Sequence, residues 1–151
     1  MPFSSSSIFL RKMLDFFIAG LLVICYNISI IKLAKGNRIP GYNRNKMEKK
    51  ILETLVISTL FHGLAKEEID ELLRNTGYRI REYEKDETVF HLMEDADQLG
   101  IILEGYIQAQ KLFPNGSQIN VSVKGKGELI GPAAVFSKQQ KYPCDIIALE
   151  N

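Results

Sequence analysis

The sequence holds only two cysteines, Cys25 and Cys144, far apart and with no CxxC or Cys/His cluster beside either. That scarcity excludes a disulfide framework and leaves no ligand spacing for a zinc ion or an iron–sulfur centre. The usage reads as two free thiols in a reducing compartment. Histidine is equally sparse. His62 and His91 have no ligand partner near them in sequence and read as surface or packing residues. No Ser/His/Asp or Cys/His constellation can be assembled, so the chain is read as non-enzymatic. Net charge is small too, +1 over 151 residues, which gives no bulk electrostatic case for nucleic acid. The charge is uneven, however. Residues 1–50 carry Arg11, Lys12, Lys32, Lys35, Arg38, Arg44, Lys46, Lys49 and Lys50 against Asp15 and Glu48, so the remainder is net acidic. A DNA-binding surface there is disfavoured further. Apolar residues at 46% and charged residues at 25% match a globular chain, and the length suits one ordinary domain.

A full-length membrane span is also missing. Residues 16–31 (FFIAGLLVICYNISII) are uncharged, but a bilayer-crossing helix needs about 20 apolar residues, and Asn27 and Ser29 interrupt the run. Arg11 and Lys12 precede it as in a signal peptide, yet no small-x-small cleavage site follows. Basic residues on both sides give no orientation. Three readings stand: a membrane anchor, a remnant signal, or non-native sequence upstream of the true start. The third is favoured because Met47 opens Met-Glu-Lys-Lys directly before the first amphipathic helix. Residues 35–46 (KGNRIPGYNRNK) have no apolar periodicity and carry turn signals at Ile39-Pro40 and Gly41. The expected organisation is a leader over 1–46 and a domain over 47–151.

From Glu48, the residues Ile51, Leu52, Leu55, Val56, Ser58, Thr59 and Phe61 fall near helical spacing, and Gly63 ends the segment. A second helix over Lys66–Arg74 sets Ile69, Leu72 and Leu73 against Glu67, Glu68, Asp70 and Glu71. The early acids and the late Arg74 suit the helix dipole, and Asn75 and Gly77 stop it. After Tyr78 the rhythm changes to short apolar runs between turn residues: Tyr78–Tyr83, Thr88–Phe90, Leu99–Leu103, Tyr106–Phe113, Gln118–Val123, Leu129-Ile130, Ala133–Phe136 and Ile146–Leu149. Pro114-Asn115-Gly116 is the sharpest hairpin signal, and Glu94-Asp95-Ala96-Asp97 is an acidic turn. Many short strands with regular glycines predict an all-β barrel or jelly roll with the helical pair beside it. The glycines Gly105, Gly116 and Gly127 fall at strand ends, where positive φ is expected, and Gly131 would permit close backbone approach.

Six segments in order resemble one family. Phe61-x-Gly63-Leu64-x-x-Glu67-Glu68 with its Leu-Leu pair is similar to the entry helices of Crp/Fnr-type sensors. Tyr83-x-Lys85-x-Glu87-x-Val89-Phe90 resembles the first roll strand. Ala96-Asp97-x-Leu99-Gly100-Ile101-Ile102-Leu103-x-Gly105-x-Ile107 resembles the core segment, and Gly116 the tip of the central hairpin. Gly127-Glu128-Leu129-Ile130-Gly131 resembles the approach to the phosphate-binding cassette, and Tyr142-Pro143-x-x-Ile146-Ile147-Ala148-Leu149-Glu150 the strand leaving it. The resemblance covers about ninety residues. It implies a mainly β fold with α, a cyclic-nucleotide-binding-like β-roll (double-stranded β-helix or jelly roll) preceded by short helices. It also implies the effector-sensing domain of a Crp/Fnr-like transcription regulator, located in the cytoplasm. The alternative is a membrane-tethered regulatory domain anchored through residues 16–31. A cupin-like jelly-roll enzyme would need clustered histidines with a carboxylate, which this chain lacks.

The resemblance places the ligand cassette at Gly131, Pro132, Ala133, Ala134, Tyr142 and Pro143. Nucleotide-binding relatives have a glutamate for the ribose hydroxyl where this chain has Pro132, and an arginine for the cyclic phosphate where it has Tyr142. Their hydroxyl donor after the arginine is Pro143 here. Arginine's planar fork suits a buried phosphate, whereas proline offers neither side-chain acceptor nor N–H, and tyrosine one uncharged hydroxyl. Cyclic AMP is therefore not expected to bind, no cofactor is expected, and the effector is another small molecule. Lys138 and Lys141 lie near enough in sequence to rescue an anion, although solvated loop lysines are the ordinary reading. The iron–sulfur branch is excluded by the missing cysteines, and His91 is the one candidate haem ligand in the roll. The family's dimer helix and helix-turn-helix follow the last roll strand. They are not in this sequence, so homodimerisation and direct DNA binding are not expected of it. The roll is expected to lack closing strands, leaving unpaired edges and a tendency to aggregate.

Overall fold

The computed structural model describes residues 27–33, 44–76 and 78–149. Cys25, most of the apolar run up to residue 26, the Ile39-Pro40-Gly41 turn, Gly77 and Glu150 lie outside them. The described elements are β1 (Asn27–Leu33), α1 (Arg44–Ile57), a 3-10 turn (Thr59–Phe61), α2 (Lys66–Thr76), β2 (Arg79–Tyr83), β3 (Thr88–Phe90), β4 (Gln98–Glu104), β5 (Tyr106–Leu112), β6 (Gln118–Lys124), β7 (Leu129–Ile130), α3 (Pro132–Val135) and β8 (Asp145–Leu149).

The two helices form where the apolar spacing predicted them. Helix α1 starts at Arg44, before Met47, because Arg, Asn and Lys need no apolar partner to extend a helix whose later turns are anchored by packing. Its buried residues among those described are Ile51, Thr54 and Leu55. Helix α2 is capped at its start, with the Ala65 N–H donating to the Glu68 carboxylate at 2.6 Å. Its last turn carries Arg74, paired with Asp70 at 2.8 Å. The two helices, the 3-10 turn and one side of β4 share a core of Ile51, Leu55, Phe61, Ile69, Leu73 and Ile101.

The strands form two four-stranded sheets. One is ordered β2-β1-β4-β7, the other β3-β8-β5-β6. The second is antiparallel throughout. Between the sheets lies a second core, including Val89, Phe90, Leu99, Ile102, Ile107, Tyr142 and Ala148. Strand β4 runs between both cores and is buried from Leu99 through Leu103, which explains its uninterrupted apolar sequence. The β5–β6 hairpin turns at the Pro-Asn-Gly signal. The Phe113 N–H donates to the Ser117 carbonyl at 2.9 Å, the Gly116 N–H to the Phe113 carbonyl at 2.9 Å, and Gly116 takes φ +81.

Two segments depart from the sequence expectation. The apolar run Ala133–Phe136 is a single helical turn. Pro132 at its first position and Gly131 before it, at φ +90, favour a turn over a strand. Residues 27–33, placed by sequence in the leader, form the middle strand β1, parallel to both β2 and β4. An apolar run this short cannot be told from a helix by periodicity, and its partners lie some fifty and seventy residues downstream. In the first sheet β4 is thus paired on both sides, by β1 and by β7.

Candidate functional site

The cassette begins at β7, which pairs antiparallel with β4 through Gly100↔Ile130 and Ile101↔Leu129. The Gly127 N–H donates to the Ile102 carbonyl at 2.7 Å and fixes the approach. Gly131 then turns the chain into α3, where the Ala134 and Val135 N–H groups both donate to the Gly131 carbonyl, at 3.0 and 2.9 Å. The loop closes through Ser137. Its hydroxyl donates to the Ala134 carbonyl at 2.8 Å and accepts from the Gln140 N–H at 3.0 Å. The chain next runs against the acidic turn. The Ala96 N–H donates to the Gln140 carbonyl, the Tyr142 N–H to the Glu94 carbonyl and the Met93 N–H to the Tyr142 carbonyl, at 2.9, 3.0 and 2.8 Å.

That backbone pairing sends the Tyr142 side chain inward. It is 1% exposed. Its ring stacks on Phe90, with centroids 4.4 Å apart and planes 10° from parallel, and its hydroxyl donates to the Gln98 carbonyl at 3.0 Å. A Cβ placed on Gly131 would lie 3.2 Å from the Tyr142 ring and 3.3 Å from its hydroxyl oxygen. The tyrosine thus fills the space against the Gly131 backbone. Burial pushes the hydroxyl pKa well above the phenol range, and the carboxylates of Asp97 and Glu94 push it further, with Arg81 opposing. The group is held as a protonated donor.

The structure gathers the expected cassette residues on one loop and sorts them. Gly131 and Tyr142 are in contact, Ala134 is buried, Pro132 is half-buried, and Ala133 and Pro143 are exposed. Neither lysine faces the tyrosine's space through a described contact. Lys141 is ion-paired with Asp95, and Lys138 is exposed on the loop. Pro132 has no N–H to offer, the Tyr142 hydroxyl is engaged with a backbone carbonyl, and the charged groups that act on that hydroxyl are the carboxylates of Asp97 and Glu94 and the opposing guanidinium of Arg81. Three contributors to the site were not singled out from sequence: Phe90 as stacking partner, Gln98 as acceptor, and the acidic turn as an electrostatic wall. The turn's charge run is the one signal that pointed there.

Elsewhere the described residues offer little chemistry. His62 and His91 are exposed, and no cluster of three His, Cys, Asp or Glu among the described residues could hold a metal. Cys144 is buried, and burial followed by the Asp145 carboxylate raises its thiol pKa, which keeps it protonated and unreactive. A groove of about 430 Å³ lies between the helices, lined by residues such as Glu48, Leu52, Asp70 and Arg74, with none from the cassette.

Comparison with known proteins points to the same fold. The family model described as "Cyclic nucleotide-binding domain" matches residues 80–151. Among solved structures, a regulatory protein from Silicibacter pomeroyi DSS-3, described provisionally as cAMP-binding, is 27% identical with a TM-score of 0.54, over 66% of this chain and 44% of its own. The sensor domain of the transcriptional regulator DNR from Pseudomonas aeruginosa aligns with a TM-score of 0.60 at 20% identity, over 69% of this chain and 68% of its own. The catabolite activator protein of Thermus thermophilus aligns with a TM-score of 0.52 at 24% identity, over 60% of this chain and 41% of its own. The chain spans less than half the length of the Silicibacter protein. No curated protein matches it. Residues 80–151 thus match the model of the cyclic nucleotide-binding domain, and the described residues share the β-roll fold of these solved structures.

Proposed function

We propose that this chain is the effector-sensing domain of a Crp/Fnr-like regulator, that it performs no chemistry, and that its cassette does not take a standard cyclic nucleotide. One observation carries the reading: the buried Tyr142 ring occupies the space against Gly131 where the family resemblance puts the phosphate-binding arginine. A nucleotide would have to displace a stacked ring and its hydrogen bond, and then place a phosphate beside the carboxylates of Glu94 and Asp97, against which Arg81 is the opposing charge. Charged hydrogen bonds contribute about 1.5–3 kcal/mol each, so lacking a two-bond arginine fork costs such a site about 3–6 kcal/mol. The effector is a small molecule of different chemistry. Dimerisation and DNA contact belong to other parts of a regulator of this type, consistent with the net acidic character of residues 51–151.

A cytoplasmic location is preferred over a membrane tether. Among the described residues no helix is long and apolar enough to cross a membrane, and residues 27–31 of the apolar run lie in β1. The test is calorimetric titration of the full chain with cyclic AMP and cyclic GMP, on material whose cooperative melting establishes folding. No heat at millimolar ligand is expected. Micromolar binding would overturn the proposal and direct attention to Lys138 and Lys141.

A further inference from the structure

Among the described strands the parallel pairings are those of β1, and β1 is the piece that joins β2 to the first sheet. Among the described pairings β2 has β1 as its one strand partner, in register from Ser29↔Arg79 to Leu33↔Tyr83. On its other side β1 pairs with β4 from Asn27↔Gln98 to Lys32↔Glu104. Strands in a sheet lie about 4.8 Å apart, so without β1 the strands β2 and β4 would flank a gap one strand wide. That gap has backbone donors and acceptors on both sides. Its two flanking strands also contribute to both cores, Tyr83, Leu99 and Ile102 to one and Ile80, Ile101 and Leu103 to the other. Asn27–Leu33 (NISIIKL) carries apolar residues at both parities, Ile28 and Ile30 at one and Ile31 and Leu33 at the other, alongside Asn27, Ser29 and Lys32. The link from β1 to α1 is residues 34–43, ten residues containing Gly36, Pro40 and Gly41, which can span up to about 33 Å.

We propose that the gap between β2 and β4 is a strand-binding slot, that Asn27–Leu33 is its occupant within the chain, and that the slot accepts the same extended, two-faced apolar segment as a separate peptide. Folding of the sensor is then coupled to the N-terminal segment, and a chain begun at Met47 would present the slot empty. The proposal is independent of what the cassette binds.

Hydrogen exchange on the full chain tests it, comparing the unaltered protein with Ile30→Pro. Proline at the fourth pair of the β1–β4 register, Ile30↔Ile101, cannot donate to a ladder and is excluded from central strands. The expected result is a loss of amide protection of about a hundredfold in β2 and along the β1-facing side of β4, by local opening, while β5 and β8 stay protected. A peptide of sequence NISIIKL should restore that protection in the variant and bind it saturably, with no binding to the unaltered protein, whose slot is filled. Unchanged protection in Ile30→Pro would overturn the assignment of β1. Loss spread evenly over both sheets would overturn it as a separable occupant. A variant that opens selectively yet ignores the peptide would overturn the slot as a binding site.

Discussion

Tyr142 gathers most of the local physics of the cassette into one side chain. It is at once a core residue, a stacking partner for Phe90 and a donor to the Gln98 carbonyl. Tyr142→Phe keeps the ring and removes the hydroxyl. The expected cost is about 1 kcal/mol at neutral pH, read from the denaturant midpoint. The pH dependence is more diagnostic. The hydroxyl's pKa is raised in the folded state, so between the unfolded value near 10 and the folded value the unfolded chain is the one that loses the proton. Stability contributed by the buried protonated hydroxyl is fully present below about pH 10 and falls as pH rises beyond it. The unaltered protein should therefore lose more stability than Tyr142→Phe between pH 9 and about pH 11, the difference isolating Tyr142 from the lysines and other tyrosines that titrate there. Parallel alkaline profiles for the two proteins would mean that the hydroxyl is not buried as described.

At the scale of elements, two glycines with nearly the same backbone angle separate turn geometry from packing. Gly116 at the hairpin tip has φ +81 and open space around a hypothetical Cβ, while Gly131 has φ +90 and would drive a Cβ to 3.2 Å from Tyr142 and 3.3 Å from the Gln98 carbonyl oxygen. Gly116→Ala should cost about 1–2 kcal/mol, the left-handed penalty alone. Gly131→Ala should cost clearly more, because the tyrosine is stacked and has nowhere to retreat. Equal losses for the pair, measured by chemical denaturation, would remove the argument that Tyr142 presses on the cassette backbone. The same elements show where sequence reading succeeds and stops. The hairpin, the two helices and the alternation of strands were legible because each is decided by neighbours within a few positions, as with Pro114-Asn115-Gly116 or Ile69, Leu72 and Leu73. That Tyr142 would be buried against Gly131 was not legible, because it depends on Gln98 and Phe90, 44 and 52 residues back in the chain. Strand β1 was missed for the same reason. Its apolar run has two structural meanings, and partners far along the chain decide between them.

At the scale of the molecule, the placement of β1 moves the vulnerable edge. An open roll would expose the flank of β4, but the first sheet is closed there by β1, and the exposed apolar strand is instead β6. Among the described strands it ends the second sheet and pairs with β5 alone, and it leaves Ile119, Val121 and Val123 each more than half exposed. Leu112, across the hairpin, is exposed as well. An apolar edge strand with free backbone groups is a template for pairing with another chain, and it carries no proline and no charge before Lys124 to prevent it. Concentration-dependent self-association is therefore expected of this chain, acting through β6. Val121→Lys combined with Val123→Lys should suppress it in sedimentation velocity, and should shift the unfolding free energy by no more than about 1 kcal/mol, since surface substitutions cost little. The register break in β5–β6 near Ala109 and Gln110 already twists this edge, so the association expected is reversible pairing. If the double variant sediments like the unaltered protein across the same concentrations, the association surface lies elsewhere. If the double variant unfolds, β6 is a core strand after all and its exposure has been misjudged.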